Sequence, residues 1–149
     1  VIKTAEALLP GMAVSYTAIN WHTANGCIDD GQNLVRSWPC NGTEPQAFWG
    51  VDTIKGNGSY LIAENGKHCL DAPSSKNWSD LVDGPCSLHY FRERWYFDYG
   101  PTGNFILRNQ VSGKCLQDGN DQPYVRMSVY TCNGSRSQQV WPYYSGKFQ

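Results

Sequence analysis

The sequence predicts an all-β domain built from three related units, and three observations lead there. Cysteine recurs at a fixed period: Cys40, Cys86 and Cys132 are spaced 86 − 40 = 132 − 86 = 46 residues apart. Nine residues after each stands a tryptophan (Trp49, Trp95 and Trp141) in the same register. Gly, Asn, Ser and Pro are spread along the whole chain, with nine Tyr and six Trp against two Met, a composition that suits short strands joined by tight turns. A period of this length is read before any local pattern, because the repeat is the unit of the fold.

The elements follow in order. Residues 1–13 form an N-terminal extension outside the repeats; residues 3–9 are the best helical candidate, ended by Pro10-Gly11, and the extension is a candidate partner-docking arm. The repeats occupy about 14–52, 53–98 and 99–144 of a single domain spanning 1–149. Each opens with a strand-like run, at residues 16–19, 60–63 or 105–108, and a turn leads to Gly26-Cys27, His68-Cys69 or Lys114-Cys115. Val35, Leu81 and Met127 then form an apolar column, and Trp38, Gly84 and Tyr130 stand two residues before the second cysteine. Gln46, Arg92 and Gln138 lie three before the tryptophan. Each unit thus holds about four short strands and cannot bury its own apolar face. Closure of three units about a pseudo-threefold axis, as in a β-trefoil, solves that problem and hides the sheet edges. A propeller, with its usual four or more blades, does not fit three units. The repeat tryptophans are expected in the core.

The six cysteines form three intra-repeat pairs with separations 40 − 27 = 13, 86 − 69 = 17 and 132 − 115 = 17. Equivalent positions must bond equivalently, which selects Cys27–Cys40, Cys69–Cys86 and Cys115–Cys132 from the possible connectivities. Each closed loop is expected to stabilise the fold by about 3 kcal/mol in the chain-entropy model. The rival, zinc ligation, lacks a C-x2-C spacing. Disulfides imply an oxidising compartment, so the protein is expected to be secreted. The sequence begins at Val1 without a charged-then-apolar leader, so an export signal is expected to have been removed or to lie outside this sequence.

Composition excludes several partners. A net charge of −1 and a pI near 6.3 give no basic face for nucleic acid. There is no basic amphipathic stretch and no apolar run of roughly 18 residues, so neither membrane surface binding nor insertion is expected.

Three strings carry a resemblance: CIDDGQNLVRSWPCNGTEPQAFW, CLDAPSSKNWSDLVDGPCSLHYFRERW and CLQDGNDQPYVRMSVYTCNGSRSQQVW. They resemble the ricin B-type lectin repeat, which opens on C-[LV]-D, carries an aromatic before the second cysteine and closes on Q-x-W. The third repeat keeps the full ending, Gln139-Val140-Trp141, while Ala47 and Glu93 replace the glutamine in the other two. The resemblance spans about residues 14–144. It implies shallow sugar sites, one per repeat, in which the Asp accepts bonds from sugar hydroxyls, the aromatic stacks on the sugar's apolar face and an amide before the tryptophan adds a polar contact. A carboxylate makes charge-assisted hydrogen bonds, and an aromatic ring covers the C–H patch of a pyranose.

Carried over by position, the first repeat offers Asp29, Trp38 and Gln46, which fills all three roles. The third offers Tyr130 and Gln138, with Gln117 at the Asp position and Asp118 one step on. The second keeps Asp71 but has Gly84 and Arg92, and is expected to be inactive unless Trp78 reaches over from the intervening loop. Trp21 and Trp78 have a second reading, packing beneath loops, as does Asp71, which suits a turn.

Nothing in the sequence assembles catalysis. His22, His68 and His89 fall at different places in the repeat, and the sequence gives none of them an obvious Ser or Cys partner. Asp29-Asp30, neighbours on a strand, face opposite ways, whereas glycosidase carboxylates converge across a bond; Asp118 with Asp121 is the other acidic pair. No calcium-loop pattern is present. No cofactor or metal is expected. Sequons occur at Asn41, Asn57, Asn77 and Asn133; Asn41 and Asn133 share one repeat position, where Asn-Gly first signals a turn.

The expectation is a non-enzymatic lectin module that recognises galactose-like or related sugars on glycoproteins, glycolipids or polysaccharide, free-standing or as the cell-binding part of a toxin or enzyme. The alternative is a β-trefoil protein–protein interaction module with degraded sugar sites. Shallow single sites bind weakly, so affinity would come from multivalency.

Overall fold

The computed structural model describes residues 13–14, 19–31, 34–52, 59–63, 68–85, 91–119 and 126–144. The helical candidate at 3–9 and most of the strand-like run at 16–19 lie outside them. The structure is all-β. The first repeat contributes β1 (Ala13–Val14), β2 (Ile19–Thr23), β3 (Gly26–Gly31), β4 (Leu34–Trp38) and β5 (Phe48–Asp52). The second contributes β6 (Ser59–Ala63), β7 (Cys69–Asp71), β8 (Ser79–Asp80), β9 (Val82–Gly84) and β10 (Arg94–Tyr99). The third contributes β11 (Phe105–Asn109), β12 (Cys115–Gln117), β13 (Ser128–Tyr130) and β14 (Trp141–Tyr144). β1 pairs with β5, so the sheet takes in Ala13, the last residue of the N-terminal extension expected to lie outside the repeats.

The strands close a barrel. β2 pairs with β5, β5 with β6, β6 with β10 and β10 with β11, all antiparallel. Phe105 bridges Val140 at the head of β14, and β14 returns to β2. Closure leaves none of these strands as an open edge. The hairpins β3/β4, β7/β9 and β12/β13 form the remaining layer, one per repeat. This is the β-trefoil arrangement.

The apolar column read from the period lies where the three hairpins meet. Val35, Leu81 and Met127 are fully buried. The Leu81 N–H donates to the Met127 carbonyl, and the Met127 N–H to the Val35 carbonyl, each at 2.9 Å. Around them pack Ile28, Phe48, Leu70, Trp95, Leu107 and Leu116, so every repeat supplies part of one core. Burying a side chain of this size is worth roughly 1.5–3 kcal/mol.

The repeat tryptophans do not share one environment. Trp95 is fully buried and its indole N–H donates to the Leu70 carbonyl at 3.1 Å. Trp141 is only half-buried, paired across β14/β2 with His22. The side chain of Trp49 lies outside what the structure describes. Trp21 belongs to the core, stacked 5.6 Å from Phe97 and edge-on to Phe105.

The disulfides Cys27–Cys40 and Cys115–Cys132 are formed, each tying the start of a hairpin to the residues just past its end. Cys69 is also disulfide-bonded; Cys86, its expected partner, lies outside the described residues.

Candidate functional site

In each repeat a single turn of 3-10 helix precedes the last strand: Glu44–Gln46, Phe91–Glu93 and Arg136–Gln138. These turns deliver the residues three before the tryptophan to the base of the hairpins. The sequence reading missed them, since a three-residue helix leaves no periodicity.

The first repeat assembles its three predicted residues. Asp29 stands directly opposite Arg36 in the β3/β4 register, and Trp38 lies two residues beyond Arg36. Strand alternation therefore places Asp29, Arg36 and Trp38 on one face. Gln46 is fully buried, and its amide is fully engaged. Nε2 donates to Asp29 Oδ2 at 3.0 Å and to the Pro39 carbonyl at 2.8 Å, and Oε1 accepts the Asn41 N–H at 2.9 Å. Gln46 thus supports the carboxylate from behind and holds the loop after Cys40. The other Asp29 oxygen accepts from Arg36 Nε at 3.1 Å, and the Arg36 guanidinium lies 3.7 Å from the centroid of the Trp38 ring. An arginine outside the repeat pattern thus occupies the space between carboxylate and platform. At that distance it makes a cation–π contact.

The third repeat uses the same scheme with different occupants. Gln138, also fully buried, donates through Nε2 to Gln117 Oε1 at 2.8 Å and to the Thr131 carbonyl at 2.9 Å. Its Oε1 accepts the Asn133 N–H at 2.9 Å. Ser128 stands opposite Gln117, where the first repeat has Arg36 opposite Asp29. No long cation grows from that position. Instead the loop before β8 crosses from the second repeat, and Ser79–Asp80 pairs with β13. The Trp78 ring comes to 4.9 Å from Tyr130, tilted by 56°. Asn77 latches the loop: its Oδ1 accepts the Thr131 N–H at 3.0 Å and Lys114 Nζ at 2.7 Å. Trp78 is 47% exposed and has φ of 68°, an unusual conformation for a bulky residue. Strain of this kind is kept where the ring's position matters.

Asp118, the neighbour of Gln117 on the chain, faces the opposite way. It is fully buried, and Asn25 of the first repeat donates to its Oδ2 at 3.4 Å. The structure therefore brings Gln117, Tyr130 and Gln138 together and directs Asp118 into the seam between repeats.

The second repeat is filled by its own charges. Arg92 Nε lies 2.9 Å from Asp71 Oδ1, and both Asp71 and Glu93 are fully buried. A Cβ at Gly84 would collide with the Asp71 and Glu93 carboxylates, so no platform fits there. Burial pushes the Asp71 carboxyl up, against the pull of Arg92 and of the hydrogen bonds from Glu93 and Arg92. Trp78, the proposed rescuer of this repeat, is committed to the third.

Asp30 holds in the first repeat the place of Asp118 in the third, and faces the seam with the second repeat. His68 and Asp83 approach it there. Burial first, then Asp83 and Asp29, push the Asp30 carboxyl up to about 8.

Several solved structures share the architecture. The Rhizoctonia solani agglutinin is 13% identical with a TM-score of 0.75, over 89% of this chain and 98% of that one. A protein described as the BEL beta-trefoil is 12% identical with a TM-score of 0.74, over 91% and 98%. An exo-beta-1,3-galactanase from Clostridium thermocellum is 15% identical with a TM-score of 0.78, over 88% of this chain but 31% of the enzyme. No protein-family model and no curated protein sequence matches the chain. Strand pairing, the core on the pseudo-threefold axis and these likenesses agree: the chain has the β-trefoil fold.

Proposed function

We propose that the protein is a lectin, a secreted, non-catalytic module that binds galactose-like or related pyranoses on glycoproteins, glycolipids or polysaccharide. One observation carries the reading. In the first and third repeats a buried glutamine fixes a polar side chain beside an aromatic ring, whereas in the second the equivalent space is filled by charge. A pyranose presents an apolar C–H face and a rim of hydroxyls, which a ring and a fixed polar group match.

The third repeat is the open site. Tyr130 and Trp78 form an angled pair of rings for the sugar face, and Gln117 supplies the amide at the carboxylate position. The first repeat is the gated site. Asp29 supplies charge-assisted bonds once the sugar displaces Arg36 from Trp38. Gln46 and Gln138 are positioning residues, while Asp118 supports the third repeat from the seam. Two sites on one chain raise avidity toward a surface carrying many sugars. The agglutinin and the galactanase support this reading, and the latter also supports attachment to an enzyme; the resemblance of the repeats adds a toxin as the other possible carrier.

A glycan array followed by titration calorimetry tests it. Selective, saturable binding of galactose-type glycans, reduced by Trp78→Ala, is expected. A blank array and no haemagglutination would transfer the site to the alternative, a protein–protein module whose sugar sites have decayed.

A further inference from the structure

We propose that the seam between the first and second repeats is a binding site for a divalent transition metal of the Zn2+ class, held by Asp30, His68 and Asp83. Asp30 comes from β3, His68 from the residue before β7 and Asp83 from β9, so two repeats meet on it. His68 Nδ1 lies 3.4 Å from Asp83 Oδ2 and 3.8 Å from Asp30 Oδ2, and one ligand atom from each residue falls within 4.8 Å of the others. Ligands around a tetrahedral Zn2+ at ~2.1 Å sit roughly 3.4 Å from one another. The three side chains need only small rotations to reach that spacing.

The surroundings point to a ligand as well. The Asp30 side chain is 3% exposed, and no donor reaches its buried Oδ1. A second carboxyl, Asp83, faces it with 14% exposure. A buried carboxyl beside a partly buried one is costly to ionise, and a cation between them, like a proton shared between them, removes the cost. The fold does not require the arrangement. In the other repeats the place of Asp30 is taken by Ala72 and Asp118, that of Asp83 by Ser37 and Val129, and that of His68 by Gly26 and Lys114. All three ligating types coincide in this seam alone among the described residues. His68, 37% exposed, lies on the solvent side and leaves an entry path and a fourth position for water. The imidazole selects against Ca2+ and Mg2+, which take oxygen ligands. The other group of His and Cys, His22 with Cys27 and Cys40, is no rival, because its sulfurs are joined in a disulfide.

The test is calorimetric titration of the whole protein with Zn2+, with Ca2+ and Mg2+ as controls. One saturable Zn2+ per chain is expected, with a rise in the thermal midpoint at saturation. Asp83→Asn and His68→Gln, each confirmed as folded by circular dichroism, should weaken Zn2+ binding at least tenfold. His22→Gln and His89→Gln should leave it unchanged. No saturable uptake by the wild type, or equal uptake by the His68→Gln and Asp83→Asn variants, overturns the site.

Discussion

The first and third repeats share one scaffold and differ in what lies on it. Gln46 and Gln138 make the same three hydrogen bonds, to the strand residue Asp29 or Gln117, to a carbonyl after β4 or β13, and from the N–H of Asn41 or Asn133. The difference comes from residues outside the repeated positions. Arg36 lies over Trp38, while its counterpart Ser128 leaves Tyr130 to be met by Trp78 from another repeat. Repetition therefore sets the frame, and single unrepeated residues decide whether a platform is covered or extended.

The largest effect should come from breaking the shared frame. Gln46→Ala or Gln138→Ala removes three hydrogen bonds from a fully buried side chain and leaves polar groups unmatched, at a cost of about 2–3 kcal/mol each. Urea unfolding should show comparable losses for the two. A negligible loss from one would mean that the frames differ as well as their occupants.

Next comes the open site. Trp78→Ala should lower sugar affinity about tenfold, equivalent to ~1.4 kcal/mol, and Tyr130→Ala by at least as much. Trp38→Ala, where Arg36 already covers the ring, should cost less in the wild-type background. Calorimetry that ranked Trp38 above Trp78 and Tyr130 would make the first repeat the principal site and the crossing loop mere packing.

Arg36→Ala sharpens the comparison in the opposite direction. It uncovers Trp38 and should raise sugar affinity severalfold at the first repeat, while weakening the fold by roughly 1–3 kcal/mol because Asp29 loses a partner in a buried position. Glycan-array signal and urea midpoint, read on the same preparation, separate the two consequences. A fall in both would make Arg36 a ligand contact and remove the gate.

The period made the frame legible: strand runs 60–63 and 105–108, the apolar column and the cysteine pairs Cys27–Cys40 and Cys115–Cys132 all follow from spacing. Asp29, Trp38 and Gln46 were grouped by the resemblance of the repeats to the ricin B-type lectin repeat, not by the period. What stayed hidden depends on contacts that no period encodes. Arg36 reaches its ring through strand alternation in a hairpin whose register the sequence does not reveal. Trp78 was visible as a loop aromatic, but its destination depends on β8 pairing with a strand of another repeat. That the Gln46 and Gln138 amides are buried and engaged within the protein was not legible, because burial is not written in a motif. Asn41 and Asn133, each five residues before its glutamine, were the available clue. Asp30, His68 and Asp83 are separated by 68 − 30 = 38 and 83 − 68 = 15 residues, and only the packing of the first repeat's hairpin against the second's brings them together.

The smallest effect tests the second repeat, where charge replaces both platform and amide. Burial outweighs Arg92 and Glu93 at Asp71, so its folded value lies above the ordinary carboxylate range. The folded state then holds the proton more tightly than the unfolded chain. This contribution to stability is fully present below the ordinary range and is lost as pH rises through the raised value. Asp71→Asn, neutral at every pH, should therefore gain on the wild type in urea midpoint as pH rises above the ordinary carboxylate value. Its glycan-array signal should stay at the wild-type level, since the Gly84 position gives a sugar nothing to stack on. Should the variant instead lose ground as pH rises, the pull of the Arg92 pair would outweigh burial at Asp71. The second repeat would then still differ from the first in lacking both its ring, at Gly84, and its amide, at Arg92.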